Sequence, residues 1–423
     1  MKRVVLAALA VAAPARADEL WVQPITQASL HLAAFDEADR PYSVPARPRD
    51  IVGVLAVSCE HTEGRPCGNG VGAYAELDSA GGYGEWLTAA SRLRARTGSS
   101  NYGNDVDIDR LHVDAHARGY RLEIGRDVLQ LGPKSHTQVG WGDHAPPLDL
   151  ARASYANERG GLMYAVGRLR DPQTFSGNLV TIARGELVLG PVTLGGMQLL
   201  QLEGDGAPHL GPWAFIEEHV TRGDASASQT DSSNRRVGLD VDWHTSFARF
   251  YYELMFEDWR RQFADALRYD ADHVLGLERS GLMIEWQKTG FRSMEHTPRV
   301  TGFTNAGRVV GSPLGPDAEA VYVAQRIGLP SNTSRGQRIS VTPWVEVARL
   351  ASDTYSYGFH QPIDRVTEGQ PELRYRVGAR SEWREVHSGV ELGVIYEHVE
   401  DFAFVTGARR NSLGADLRIV YYP

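Results

Sequence analysis

The chain has 423 residues, with 44 lysines and arginines against 53 aspartates and glutamates, a formal net charge of −9 and two cysteines. An acidic chain is a poor partner for nucleic acid, whose phosphates call for a basic surface. Two thiols are too few for a thiolate-rich metal centre or for a fold built on disulfides.

Residues 1–17 read as an export signal. Lys2 and Arg3 supply the positive end, residues 4–13 the apolar middle, and Ala15-Arg16-Ala17 the small-x-small cleavage site. The apolar stretch is shorter than the ~20 residues a membrane helix needs. Cleavage leaves residues 18–423 as the mature chain, poorer by the positive charges of Lys2, Arg3 and Arg16. Cys59 and Cys67 follow, separated by seven residues in CEHTEGRPC. In an oxidising compartment a close pair flanking a loop is expected to form a disulfide that pins the loop tip. His61 adds one ligand, which is not enough for metal.

Asp105, Asp107 and Asp109 alternate as at the opening of a calcium loop, but Arg110 stands where that loop requires glycine. His112, Asp114 and His116 share one strand face at a spacing awkward for a single tetrahedral ion. Both stretches are therefore read as polar strand faces, and no metal or other cofactor is expected. From Tyr120 to Asp127 the pattern has period two. Tyr120, Leu122, Ile124 and Arg126 point one way, and Arg121, Glu123, Gly125 and Asp127 the other. Gly132-Pro133 ends this run. A turn-rich insert follows with Lys134, His136, Trp141, Asp143 and His144, closed by Pro146-Pro147. A strand leading into rings, donors and acceptors reads as a binding segment on a rigid scaffold.

The same alternation recurs to the end of the chain. Val237, Leu239 and Val241 oppose Arg236, Asp240 and Asp242. Leu282, Ile284 and Trp286 oppose Met283, Glu285 and Gln287, and Val345 and Val347 oppose Glu346. Leu373, Tyr375 and Val377 oppose Arg374 and Arg376, Leu392, Val394 and Tyr396 oppose Glu391 and Glu397, and Leu417 and Ile419 oppose Asp416 and Arg418. A soluble sandwich would bury the apolar sides, whereas a membrane barrel turns them to lipid. Three features favour the barrel. There are roughly eighteen candidate strands of about 8–11 residues, the length of a tilted membrane strand. The polar sides repeat Arg and Glu, which a wet lumen tolerates and lipid does not. Aromatic residues mark strand ends at Tyr251-Tyr252, Trp286, Trp344, Trp383 and Tyr421-Tyr422, as in interfacial girdles.

Trp259, Phe263 and Leu267 predict a short amphipathic helix over 257–269, in a loop or across a barrel mouth. Turn signals fall at 226–233, 313–316, 330–336 and 363–371. No repeat, linker or low-complexity block divides the chain, so residues 18–423 are expected to form a single domain that grows by adding strands. The chain has no run of ~18 apolar residues beyond the signal, which leaves strands as the means of crossing a membrane. No G-x-S-x-G, H-E-x-x-H or G-x-x-x-x-G-K pattern selects a catalytic set, and a non-enzymatic role is expected.

The run Gly125-Arg126, Leu129-Gln130-Leu131-Gly132-Pro133 and Asp143-His144-Ala145-Pro146-Pro147-Leu148 resembles the signature of the capsule assembly Wzi family. There a strand ending in a Gly-Pro turn precedes an Asn/His-Ala-Pro segment. The family's Gly-Pro-Gly reads Gly132-Pro133-Lys134 here. A second stretch, 296–317, is similar to the family's other recognisable patch. The resemblance implies an all-β protein, a closed antiparallel transmembrane β-barrel of about eighteen strands in the bacterial outer membrane. Loops and short helices would occlude its lumen. It implies a role in capsule or exopolysaccharide assembly, with surface polysaccharide and outer-membrane lipid as partners. The assembly machinery would read the aromatic last strand, here followed by Pro423. Sugar faces stack on aromatics and acidic sugars pair with planar cations. The expected polysaccharide contacts are Lys134, His136, Trp141, Asp143, His144, Arg299 and Arg308, with His296, Phe303 and Asn305 beside them. The competing expectation is a diffusion channel whose lumenal charges select solutes.

Overall fold

A computed structural model describes residues 50–58, 72–83, 86–98, 105–129, 131–133, 135–142, 145–170, 178–202, 234–257, 263–294, 303–305, 308–329, 338–358, 361–385 and 388–421. The export signal and the Cys59/Cys67 pair lie outside these residues.

The strands are β1 (Asp50–Ser58), β2 (Gly72–Tyr83), β3 (Leu87–Gly98), β4 (Asp105–Ala117), β5 (Tyr120–Asp127), β6 (Leu148–Asn157), β7 (Gly160–Arg168) and β8 (Leu179–Leu189). Next come β9 (Val192–Leu202), β10 (Asn234–His244), β11 (Arg249–Phe256), β12 (Ala271–Arg279), β13 (Leu282–Lys288), β14 (Thr304–Asn305), β15 (Arg308–Val309) and β16 (Ala318–Gln325). The last are β17 (Ile327–Leu329), β18 (Arg338–Leu350), β19 (Thr354–Gly358), β20 (Gln361–Thr367), β21 (Glu372–Arg384), β22 (Ser388–Glu400) and β23 (Arg409–Tyr421). All but four join one 19-stranded sheet; β14 pairs only with β15, and β19 only with β20. Every pairing in the large sheet is antiparallel; β13 pairs with β16, β16 and β17 both pair with β18, and β18 pairs with β21, while β1 pairs with both β2 and β23.

The period-two pattern decides which side of each strand is sheltered. On β5, Tyr120, Leu122 and Ile124 are 63, 52 and 61 % exposed, while Glu123 is fully buried and Asp127 is 3 % exposed. On β10, Leu239 is exposed and Arg236 and Asp240 are buried; on β22, Leu392 and Val394 are exposed and Glu391 and Glu397 buried. The apolar side chains thus lie on the exposed face of the sheet and the charged ones on its buried face, the division read from the sequence. A water-soluble sandwich would show the reverse.

The connections differ between the two ends of the sheet. At one end the fully described connections are tight turns. Arg118-Gly119 and Ser280-Gly281 both have two consecutive positive φ angles, which matches the twist of a two-residue hairpin. Gly53 of β1 lies opposite Tyr421 of β23, so the start of the first strand and the end of the last lie at this end. The connections at the other end include the inserts 128–147 and 289–317.

Three details depart from expectation. Tyr251 and Trp344 are buried instead of joining an outer girdle: the Tyr251 hydroxyl donates to Glu285 at 2.7 Å, and Trp344 packs 6.0 Å from Tyr322. The described part of the expected helix is one α turn at Phe263–Asp265 running into a π turn at Ala266–Asp270, a widening not read from the sequence. Only its second half is described, and packing of Ala266 against Leu254 and Phe256 fixes it. The turn signal at 363–371 begins too early, because residues 363–367 complete β20 against β19. Among the described residues, no helix is long and apolar enough to cross a membrane.

Candidate functional site

The insert after β5 does not extend into solvent. It turns back against the sheet and touches β11 and β13, neither of which pairs with β5. Leu129, Leu131, Val139, Trp141 and Ala145 are all buried in one apolar cluster with Met197, Met255, Met294, Phe303 and Val310. Leu131 and Trp141 form an isolated antiparallel bridge, with the Leu131 N–H donating to the Trp141 carbonyl at 3.1 Å. Burying this loop backbone requires partners for its polar groups. Strands β11 and β13 provide them.

Two carboxylates receive the insert. Glu253 of β11 accepts the Val139 N–H at 3.1 Å and the Gly140 N–H at 3.0 Å. Glu285 of β13 accepts the His136 N–H at 2.9 Å and the Thr137 N–H at 2.8 Å, besides the Tyr251 hydroxyl. Both side chains are essentially inaccessible. Each carboxyl group thus meets two successive peptide donors that would otherwise be buried without acceptors. Gly140 is required by this close approach: a Cβ there would lie 2.8 Å from both Glu253 Oε1 and Met197 Sδ. Gly140→Ala is expected to lower stability by about 1–3 kcal/mol through overpacking. A thermal scan of the purified protein checks this against a Gly185→Ala control, whose Cβ would meet nothing nearer than a Leu162 methyl at 3.3 Å.

Arg236 of β10 ties the two inserts together. Its Nη1 donates to the Val139 carbonyl at 2.9 Å, and its guanidinium pairs with Glu257 at 2.7 Å and with Asp272. Asp272 in turn accepts the Gly290 N–H and the Ser293 hydroxyl, both at 2.7 Å, and Glu257 accepts the Met294 N–H at 2.6 Å. These contacts anchor the start of the 289–317 insert. Its β14–β15 hairpin packs on the first insert: Asn305 Nδ2 donates to the Pro146 carbonyl at 3.0 Å, and the Gly142 N–H donates to the Val310 carbonyl at 2.8 Å. The Asn305 side-chain oxygen accepts the Arg170 N–H at 2.9 Å.

His136 forms the other edge of the plug. Its ring stacks on Tyr322, with centroids 3.5 Å apart and planes 7° apart, and its Nε2 lies 3.4 Å from Glu346. Glu346 continues a ladder of alternating charge through Arg376 at 2.6 Å and Glu397 at 2.7 Å to Arg410 at 3.2 Å. A second charged group lines the wall below β4–β6. His112 lies 3.3 Å from Asp114, and Arg121 bridges Asp114 and Glu123 at 2.7 Å each. Arg152 pairs with Glu123, and Arg110 with Asp127. His112, Glu123 and Asp127 bring one potential ligand atom each within 4.8 Å of one another. Arginines already neutralise both carboxylates, so a cation there would have to displace a guanidinium. The alternate trio of the sequence stays together: His112 and Asp114 join this group, and the Thr88 hydroxyl, which donates to Asp114 at 3.3 Å, also contacts His116 at 3.2 Å.

Of the residues expected to contact polysaccharide, His136 and Trp141 are plug residues, and Trp141 is fully enclosed. Arg308 belongs to β15, and its side chain is not described. Lys134, Asp143, His144 and Arg299 lie outside the described residues. The sequence reading missed Glu253, Glu257, Asp272 and Tyr322 as site residues and treated Arg236 and Glu285 only as members of a polar face. One signal was present for Glu253: it is the single acid in the otherwise apolar run Tyr251 to Phe256.

No protein-family model matches this sequence, and no curated protein matches it. Solved structures do. The chain is similar to Wzi of Escherichia coli, an outer membrane protein involved in group 1 capsule assembly and a carbohydrate-binding β-barrel. The two share 14 % identity with a TM-score of 0.64, over 88 % of this chain and 84 % of that one. It is similar to OccD3 of Pseudomonas aeruginosa at 11 % identity and a TM-score of 0.52, over 90 and 95 % of the two chains. It is also similar to the outer membrane protein OprD of Pseudomonas aeruginosa at 9 % identity and a TM-score of 0.50, over 88 and 93 %. The likeness is one of fold: an all-β, antiparallel architecture found in bacterial outer-membrane barrels.

Proposed function

We propose that this chain is a closed outer-membrane barrel that binds or anchors capsular or exopolysaccharide at the cell surface and catalyses no reaction. Counting β16 and β17 as one span turns the 19-stranded sheet into a ring of eighteen, with the β1–β23 pairing as its seam. Exposed apolar stripes then face lipid. The short-turn end, where the first strand starts and the last one ends, is the periplasmic side, and the long inserts are extracellular. The observation that carries the binding reading is the plug. Two inserts fill the interior and are held by buried carboxylates, an arrangement suited to a surface scaffold more than to a conduit. Lys134, Asp143, His144, Arg299 and Arg308, carried by these same inserts, are the proposed sugar contacts. His136 and Trp141 support them from within. Many weak contacts along a polymer give avidity without one tight site.

The second reading is a diffusion channel, favoured by the charged ladders on the wall. Two measurements separate them. The purified full-length protein is expected to be retained on an acidic capsular polysaccharide, and to show no steady conductance in planar bilayers. A strain lacking it is expected to shed capsule. No retention together with an intact capsule would remove the binding reading, and steady open conductance would install the channel.

A further inference from the structure

We propose that the turn 263–270 is an anchor in the outer leaflet: it lies on the outside of the wall at headgroup level and presents Phe263 to lipid. The register fixes its height. Tyr252, Leu275 and Trp286 share one row across β11, β12 and β13, and the next row toward the extracellular end is Leu254, His273, Lys288 and Glu319. Both rows alternate with the buried Glu253, Asp272 and Glu285, so they belong to the outward face. Tyrosine and tryptophan mark the membrane interface, which puts the second row at its upper edge. Leu254 and Phe256 point outward too, yet they are only 8 and 5 % exposed, because Ala266 packs on them. Leu239 and Leu275, on the strands to either side, stay 59 and 51 % exposed. The turn therefore covers a patch of the lipid-facing belt from outside.

The end of a helical segment leaves its last carbonyls without partners. Water meets that need on a soluble surface but is scarce at the edge of hydrocarbon. Here the carbonyls of residues 266 to 269 are all paired within the protein. The Ala271 N–H donates to the Ala266 carbonyl, and the Phe291 N–H to the Tyr269 carbonyl at 2.9 Å. His273 Nε2 donates to the Leu267 carbonyl at 2.9 Å, while its Nδ1 accepts the Tyr252 hydroxyl at 2.8 Å. Lys288 Nζ donates to the Arg268 carbonyl. A histidine and a lysine on a lipid-facing surface are costly unless polar groups meet them, and the open carbonyls of the turn are those groups. With its backbone closed in this way, the turn leaves Phe263 47 % exposed, 5.7 Å from the Phe256 ring. An aromatic side chain on a helical turn, just above an aromatic row and flanked by exposed leucines, fits the boundary between headgroups and acyl chains. Lipid is the occupant because the patch continues the apolar belt on both sides.

The inference rests on the outer-membrane placement, so a separate position tests that placement. The photoreactive residue p-benzoylphenylalanine is introduced in turn at Phe263, at Leu275 in the belt, and at Val366, which is 63 % exposed on the β19–β20 hairpin. The full-length protein is reconstituted in phosphatidylcholine liposomes and irradiated, and lipid adducts are read by peptide mass spectrometry. Adducts are expected at 263 and 275, each roughly tenfold above 366. Adduct at 275 without adduct at 263 would overturn the anchor and leave the barrel standing. No adduct at 275 would overturn the outer-membrane placement and the anchor with it. Crosslinking of position 263 to a second copy of the chain would assign the patch to a protein contact and overturn the lipid assignment. His273→Leu with Lys288→Met, combined with the probe at 263, is expected to lower lipid adduct there by about fivefold, because the freed carbonyls move toward water. The yield at 275 should not change in that background. An unaltered yield at 263 would overturn the clamping role given to His273 and Lys288.

Discussion

Removing both clamping carboxylates, as in Glu253→Ala with Glu285→Ala, is expected to open the interior while leaving the strand ladders intact. Four backbone N–H groups of the insert, at residues 136, 137, 139 and 140, lose their acceptors. Leaving a buried donor unsatisfied costs about 1–3 kcal/mol each, so plug docking weakens by on the order of 6 kcal/mol. The sheet does not depend on these bonds, because its ladders run strand to strand from β1 to β23. The insert is expected to leave the interior, and three signals follow: conductance in planar bilayers, new protease cleavage within 128–147, and unchanged β-sheet circular dichroism. Gln at both positions keeps one acceptor oxygen per site and is expected to give intermediate leakage. A double Ala variant that stays closed and uncut would mean that apolar packing around Trp141 holds the plug without the carboxylates.

Arg236→Ala is expected to be the most damaging single substitution. Its guanidinium faces Glu257 and Asp272, both buried, and its loss leaves two carboxylates without their cation. Breaking a buried ion pair from one side costs about 3–5 kcal/mol, because the remaining charge is stranded. The Val139 carbonyl also loses its donor. Thermal unfolding in detergent should show a clear drop in Tm. Removing all three charges together, as in R236M/E257Q/D272N, is expected to recover much of the loss, since replacing a whole buried ionic group by neutral side chains is often close to neutral. A Tm in R236A equal to wild type would show that neither the ion pairs nor the Val139 contact supports the plug. The two experiments probe different links: the carboxylate clamps hold the first insert alone, whereas Arg236 joins it to the second through Asp272 and Gly290.

The interior combines two kinds of packing. Around Trp141, Phe303 and Val310 it resembles a soluble core, with buried apolar residues in mutual contact. Along β18, β21 and β22 it is ionic, with Glu346, Arg376 and Glu397 paired in sequence. The ionic side tolerates water; the apolar side seals. This division explains why the aromatic residues Tyr251 and Trp344 turned inward although their sequence positions resemble girdle residues. Period-two alternation fixes a side chain's face, and at these positions the inner face meets the plug and not water.

The amino-acid sequence by itself determined the strands and the direction each face would look. That information is local: a side chain's face follows from its neighbours two residues away, and Tyr120, Leu122 and Ile124 against Glu123 need no distant partner to be read. Only the tertiary structure decided what the insert after β5 does. Its rings and donors look the same in a surface loop and in a buried plug. What separates the two is an acceptor on another strand, and the contacts between His136 or Gly140 and their carboxylates span 149 and 113 residues. No pattern of period two encodes a partner at that distance. It is set by lateral pairing of the whole sheet, which brings β11 and β13 against the insert so that a buried backbone finds the acceptors able to hold it.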